Sequence, residues 1–256
     1  MEEPARLTPL RVLPSPAAIG DYLAETLLYR IEHARRLGKR FLLGCPTGRT
    51  PRPLYDELAR RKPDLGHVVF VMMDEYVGAD MCHAFVRTHM PWASEVWFPD
   101  TNDPGAYDGR IADAGGVDFF LLASGASDGH VGFNQPGAPR DSRTRVVPLS
   151  EATRRDNLQT SPSFGTLENV PRQGITVGIA TISAAREAVM VAWGESKRLT
   201  LHRITAAAMY DQSWPATVIH EVPIREIVAD ADAASSIRSS PAAPAASRTP
   251  GGAADC

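Results

Sequence analysis

Cysteine is scarce in this chain of 256 residues, and the three present, Cys45, Cys82 and Cys256, are scattered. That spacing excludes a disulfide framework and a clustered zinc site, so reduced thiols are expected. There is no C-x-x-C and no H-E-x-x-H, and Cys82 beside His83 is a poor chelating pair; no metal is implied. No run of about 18 apolar residues exists to span a bilayer. The opening MEEPARLTPL lacks the basic start and apolar stretch of a signal peptide, and a cytoplasmic protein is expected. A basic excess is missing too: 27 Lys and Arg against 30 Asp and Glu leave a net charge of −3. Nucleic acid and anionic membranes therefore have no electrostatic claim as partners, whereas a small anion needs only a local positive site. Gly125, Gly129 and Gly132 do not form G-x-G-x-x-G, Arg49 breaks the nucleotide P-loop pattern, and Ser124 lacks the flanking glycine of a nucleophile elbow. Dinucleotide binding and serine hydrolysis lack support.

What is present is a core-forming composition, 43% hydrophobic and 22% charged, at a length suited to one domain. From Ala17 to Leu37, Ile19, Leu23, Leu27 and Ile31 recur at helical spacing. RFLLG (Arg40 to Gly44), a turn-like Pro46 to Thr50 and PRPLYDELARR then read as strand, loop and helix. Further strand-like runs are VVFVM (68–72), VDFFLL (117–122), ITVGIA (175–180), AVMVAW (188–193) and ATVIH (216–220). They are apolar throughout, as strands buried on both faces should be, and helix-compatible segments separate several of them. The pattern predicts a Rossmann-like α/β domain over 1–228, a doubly wound, mostly parallel sheet with helices on both faces. The stretch from Trp97 to Gly116 reads as a long connection or a short irregular helix. Residues 229–256, rich in Ala, Ser and Pro, read as a disordered tail.

In open parallel sheets ligands bind beyond the carboxyl ends of the strands. Here those ends carry Thr47, Gly48, Arg49 and Thr50; Asp74 and Glu75; Ser127, Asp128, Gly129 and His130; and Gly194 to Lys197. Hydroxyls, acids, an imidazole and an ammonium on one edge suit a polyol phosphate. The loop Cys45 to Thr50 opens a helix, whose free amides and dipole favour an anion, and Lys197 can add a cation; an ordinary helix cap is the alternative. Asp128 two residues before His130 can orient an imidazole that shuttles protons. Asp74, directly after five apolar residues, either caps a turn or does proton chemistry.

GCPTGRTPRPLYDEL, MDEYVG (73–78), DGHVGFNQPG (128–137), SRTR (142–145), ITVGIATI and WGESKRL stand in the order and approximate spacing of the glucosamine-6-phosphate deaminases, which this chain resembles over about residues 40–200. The sister 6-phosphogluconolactonases share the DGH core, and the tyrosine of DEY and the asparagine of FN favour the deaminase branch. The resemblance implies aldose to ketose isomerisation of an amino-sugar 6-phosphate, such as glucosamine 6-phosphate, with loss of ammonia and no cofactor. It implies that His130 assists ring opening, Asp74 moves a proton between C2 and C1, Asp128 orients His130, and Thr47 to Thr50 with Lys197 hold the phosphate. A phosphosugar is then the partner, and a homo-oligomer is allowed. Gln135 stands where the family has glutamate, removing an anionic neighbour expected beside His130 and leaving room for an altered substrate. Arg49 replaces a loop glycine, the lid arginine falls at Gln159 with Arg154 and Arg155 nearby, and the family's allosteric phosphate site is matched only at Arg145, with Ala138 and Val147 in its other positions. A lactonase in which His130 activates water, and a non-catalytic sugar-phosphate sensor suggested by Gln135, are the competing readings.

Overall fold

The computed structural model describes residues 8–237. A short edge strand, β1 (Leu10–Leu13), leads into α1 (Pro16–Arg36). The Ser15 hydroxyl caps that helix by accepting from the Ala18 amide at 3.2 Å, and Pro16 occupies the first turn, where a missing N–H costs nothing. The stripe Ile19, Leu23, Leu27 and Ile31 is the buried face. β2 (Phe41–Cys45), α2 (Arg52–Arg61) and β3 (Val68–Met72) follow as expected. The chain then passes through β4 (Asp74–Tyr76), α3 (Met81–His89), β5 (Glu95–Trp97), α4 (Pro104–Asp113) and β6 (Phe119–Ala123). Within the Pro/Gly-rich middle α4 is a regular helix of 10 residues, capped by the Asp103 side chain. β7 (Arg145–Pro148), α5 (Glu151–Thr160), β8 (Gln173–Thr176), α6 (Ile179–Ser183), β9 (Glu187–Ala192), α7 (Arg198–Ala206), β10 (Ile224–Asp230) and α8 (Ala231–Ala234) complete the order.

Seven strands form one parallel sheet in the order β1-β10-β9-β6-β2-β3-β5. From β2 the chain builds outward to β3 and β5, then returns to place β6 on the other side of β2. The loops after β2 and β6 diverge at that switch point and open a crevice at the carboxyl ends. Leu43, Phe70, Met72, Phe119, Leu121 and Val191 pack with α1 and α2 on one face. Leu42, Val69, Val71, Phe120, Leu122 and Met190 pack with α4, α6 and α7 on the other. Burial on both faces is the reason the strand sequences are unbroken apolar runs. The doubly wound, mostly parallel architecture is therefore as the sequence indicates. β4, β8 and β7 form a second, antiparallel sheet of three strands, in that order.

Three expectations change. The run 216–220 lies in a 3₁₀ helix, Pro215–Glu221, which Pro215 opens, and the place beside β9 belongs to β10. The run 175–180 divides between β8 of the small sheet and α6. The domain does not end at 228, because Ala229 and Asp230 finish β10, and the Asp230 carboxylate accepts from Ala233 N at 2.8 Å and Gly194 N at 3.0 Å, holding α8 in place with Ala233 fully buried. Small alanines pack where the sequence suggested nothing large enough to do so. The remainder of the expected tail, 238–256, lies outside the described residues. Among the described residues no helix is long and apolar enough to cross a membrane.

Candidate active site

A cavity of about 350 Å³ opens over the carboxyl ends of β2, β3, β6 and β9, four neighbouring strands. Its wall includes Thr47, Gly48, Arg49 and Thr50 after β2, Asp74 after β3, His130 after β6, and Ser196 and Lys197 after β9. The convergence read from the four strand ends is thus realised. The loop after β2 is anchored from both sides: Tyr55 Oη donates to the Pro46 carbonyl at 2.8 Å, and Trp193 Nε1 to the Thr50 carbonyl at 3.0 Å. Pro51 is the N-cap of α2 and no side chain caps the helix. The amides of 47–50 make no main-chain hydrogen bond among the described residues. An uncapped helix start with free N–H groups offers itself to an anion, which the helix-cap alternative does not explain.

Beyond β6, Asp128 and His130 form a buried pair. His130 Nδ1 lies 2.6 Å from Asp128 Oδ1, which also accepts from the His130 amide at 3.1 Å. Because the carboxylate accepts, Nδ1 carries the hydrogen and Nε2 is left to exchange a proton. Burial pushes the Asp128 carboxyl up, but the hydrogen bonds from His130 and Thr153 and the imidazole's charge outweigh it and bring the group down to about 2. Two glycines make the pair buildable. A Cβ on Gly125 would lie 2.2 Å from His130 Nδ1, and Gly129, at φ +68°, lets the Trp214 indole pack where its Cβ would be 2.3 Å from the ring.

Asp74 starts β4, where the chain crosses from the main sheet to the small one. Burial raises its carboxyl from 3.8 to about 7; the Cys82 thiol opposes that rise, the Glu75 charge adds to it, and the His130 charge opposes it. Cys82 Sγ donates to Asp74 Oδ1 at 3.4 Å and lies 3.6 Å from Thr47 Oγ1. Asp74 accepts no backbone amide among the described residues, so it is not the turn cap that the sequence allowed. The capping belongs to Glu75, which accepts from the amides of Tyr76 (2.8 Å), Cys82 (3.0 Å) and His83 (2.9 Å) and from His83 Nδ1 (2.8 Å), fixing the start of α3.

Lys197 is half-buried, its Nζ donating to the Ser124 carbonyl, and burial pulls its amine down to about 8. α5 closes one wall and is latched to the loop after β6. Asp156 Oδ2 accepts from Ala126 N (2.9 Å), Ser127 N (3.0 Å) and Ser127 Oγ (2.9 Å). Gln159 lines the cavity, but neither nearby arginine replaces the lid cation: Arg154 donates to the carbonyls of Leu167 and Val170, and Arg155 pairs with Glu151.

Gln135 does not sit against His130. Its Oε1 accepts from Ser150 N at 2.5 Å and from Thr153 Oγ1 at 2.9 Å, and its Nε2 donates to the Pro148 carbonyl at 2.6 Å. It reaches the pair only through Thr153, whose hydroxyl is 2.7 Å from Asp128 Oδ2. The sequence reading thus missed Cys82, Thr153, Asp156 and Gly125. Cys82 alone left a signal, a thiol eight residues beyond Asp74. Asp128, His130 and Asp156 offer ligand atoms within 4.8 Å of one another. Their oxygens already accept from His130, Thr153, Ala126 and Ser127, and the Lys197 ammonium is electrostatically coupled to both acids, a donor set ill suited to a metal ion.

Comparison with known proteins agrees with this geometry. The model of the family described as glucosamine-6-phosphate isomerases/6-phosphogluconolactonase matches residues 14–227. A glucosamine-6-phosphate deaminase of Rhodopirellula baltica is 40% identical over 217 residues, 76% of this chain and 83% of that protein. The solved structure of a monomeric glucosamine-6-phosphate deaminase superposes with a TM-score of 0.80 at 25% identity, over 89% of this chain and 99% of that one. A 6-phosphogluconolactonase from Shewanella baltica, at 17% identity and a TM-score of 0.67 over 88% and 99%, shares the fold. On the family match and the 40% identity, this chain belongs to the glucosamine-6-phosphate isomerase and 6-phosphogluconolactonase family.

Proposed function

We propose that the chain is an isomerising deaminase that converts glucosamine 6-phosphate and water to a ketose 6-phosphate and ammonia, acting in the cytoplasm. The observation that carries the reading is Asp74, a buried carboxyl raised to about 7, on the same cavity as His130. A base that removes a proton from carbon at neutral pH works best with a value near the working pH. The free amides and hydroxyls of Thr47 to Thr50, with Lys197, take the 6-phosphate. His130 Nε2 moves a proton between the ring oxygen and the anomeric hydroxyl, opening the pyranose, while Asp128 holds Nδ1–H. Asp74 then removes the proton from C2, leaving an enol across C1 and C2 with the amine on C2. Return of the proton to C1 gives a C2 iminium, and water adds there as ammonia leaves.

A lactonase would need a base only to activate water, a task open to Asp74 or His130 alike, so the preference for the deaminase rests on the 40% identity to a deaminase against 17% to a lactonase that shares the fold. The test is incubation with glucosamine 6-phosphate in deuterated water. Ammonia, ketose phosphate and deuterium at C1 are expected. No ammonia, together with hydrolysis of 6-phosphogluconolactone above its spontaneous rate, would replace this reading with the lactonase.

A further inference from the structure

The Asp128 carboxylate has two oxygens, and the His130 ring and amide occupy only Oδ1. Oδ2 is held by Thr153 Oγ1 at 2.7 Å, and Thr153 is fully buried, so no solvent replaces that donor. A hydroxyl has one hydrogen, and two acceptors lie within its reach, Asp128 Oδ2 and Gln135 Oε1 at 2.9 Å. The anionic oxygen is the nearer and the stronger acceptor. Gln135 Oε1 is served instead by Ser150 N, and Nε2 on the Pro148 carbonyl dictates which way the amide faces. Gln135 therefore straps the turn between β7 and α5 from both sides. Ser150, whose Oγ accepts from Thr153 N at 3.2 Å, starts the helix that carries Thr153 to Asp128.

We infer that Thr153 is a positioning residue for the His130 proton transfer, and that Gln135 acts through it by fixing the turn that delivers the Thr153 hydroxyl to Asp128. With Oδ2 released, the carboxylate is free to rotate about its Cβ–Cγ bond, and the imidazole that follows Oδ1 turns with it. A carboxylate at 135 would place a second anionic acceptor against the same hydroxyl and would face the Pro148 carbonyl with no donor. A neutral amide leaves the hydroxyl proton to Asp128. The role depends on His130 being the ring-opening group of the deaminase reading.

The test compares Thr153→Val, which keeps the shape and removes the donor, with Thr153→Ser, which keeps the donor, each in the full chain. Two quantities are read: kcat and KM with glucosamine 6-phosphate, and the downfield Nδ1–H proton resonance of His130, assigned by its loss in His130→Gln. Thr153→Val should lower kcat by about 10- to 100-fold, the range for losing a buried hydrogen bond to a charged group, with KM little changed and the resonance lost or shifted upfield. Thr153→Ser should retain both. Gln135→Leu should lower kcat alone but add nothing in combination with Thr153→Val, since both act on one path. Wild-type kcat and resonance in Thr153→Val would overturn the role, as would an equal loss in Thr153→Ser, which would assign the effect to packing. Should Thr153→Val not fold, Thr153→Ala against Thr153→Ser carries the same comparison. If the wild-type protein releases no ammonia, the deaminase reading fails by itself, and the resonance in the variants still decides the part played by Thr153.

Discussion

Asp74→Asn should make the protein less active and more stable at once. A carboxyl raised by burial from 3.8 to about 7 is one whose anion the fold disfavours. The sign follows from proton linkage. The folded state holds the proton more tightly than the unfolded chain, so the stability linked to neutral Asp74 is fully present below 3.8 and is lost as pH rises through about 7. Asparagine keeps the shape, lets Cys82 keep its acceptor, and has no charge to bury. The variant should gain about 2 kcal/mol over the parent at pH 5 and about 4 kcal/mol at pH 8. For a domain of this size that is a melting midpoint about 8 °C higher at pH 8. Turnover should fall at least about 100-fold, the usual share of a positioned base. In the parent, kcat/KM should drop tenfold per pH unit below about 7, because only the carboxylate takes a proton from carbon. Melting by calorimetry at pH 5 and 8, beside an ammonia-release assay, reads both halves. A variant that is inactive but destabilised at pH 8 would refute the buried-charge argument, and one that is stabilised but fully active would refute the base.

Lys197→Met should raise KM for the phosphosugar by about 10- to 100-fold, the value of a charge-assisted contact, and the parent's KM should climb as pH passes about 8, where the ammonium is lost. A KM independent of pH up to 10 would remove Lys197 from the phosphate. Gly125→Ala should fold, by circular dichroism, yet lose at least about 100-fold in kcat, because its Cβ would meet the His130 ring at 2.2 Å and displace it. Glu75→Ala should lower unfolding stability by about 2–4 kcal/mol in urea, having left the Tyr76 amide in β4 and the Cys82 and His83 amides at the start of α3 without their acceptor; a change below about 0.5 kcal/mol would show that water replaces it.

The centre of the large sheet was legible because β9, β6, β2 and β3 are buried on both faces, which writes an apolar run straight into the sequence. VVFVM is β3 residue for residue. The same rule misled at ATVIH, where Val218 and Ile219 are fully buried although the backbone is a 3₁₀ helix; burial makes a run apolar whatever its conformation, and Pro215 was the better guide. β10 escaped notice because in IREIVAD an exposed Ile224 is followed by Arg225 and Glu226 at the rim, and the strand is buried only from Ile227 onward. Short pairings such as β4 with β8 cannot be read locally, since their partners are about a hundred residues apart.

The site was legible where one strand end supplies a residue directly, as for Asp74, His130 and Lys197, and opaque where two loops meet. Gln135 shows why. Five positions after His130, it reads as a neighbour of the imidazole, and replacing glutamate there reads as a charge lost beside the ring. Between them Val131 and Asn134 close a tight turn, each amide donating to the other's carbonyl, and Asn134 spends its side chain on the carbonyls of Val131 and Val177. The chain reverses and delivers Gln135 to the far side of Asp128, with Thr153 between. The neutrality of Gln135 then bears on which acceptor receives the Thr153 proton, and only through that on His130. Whether an amide at 135 weakens the proton transfer is therefore a question of hydrogen-bond supply to Asp128, which Thr153 already meets.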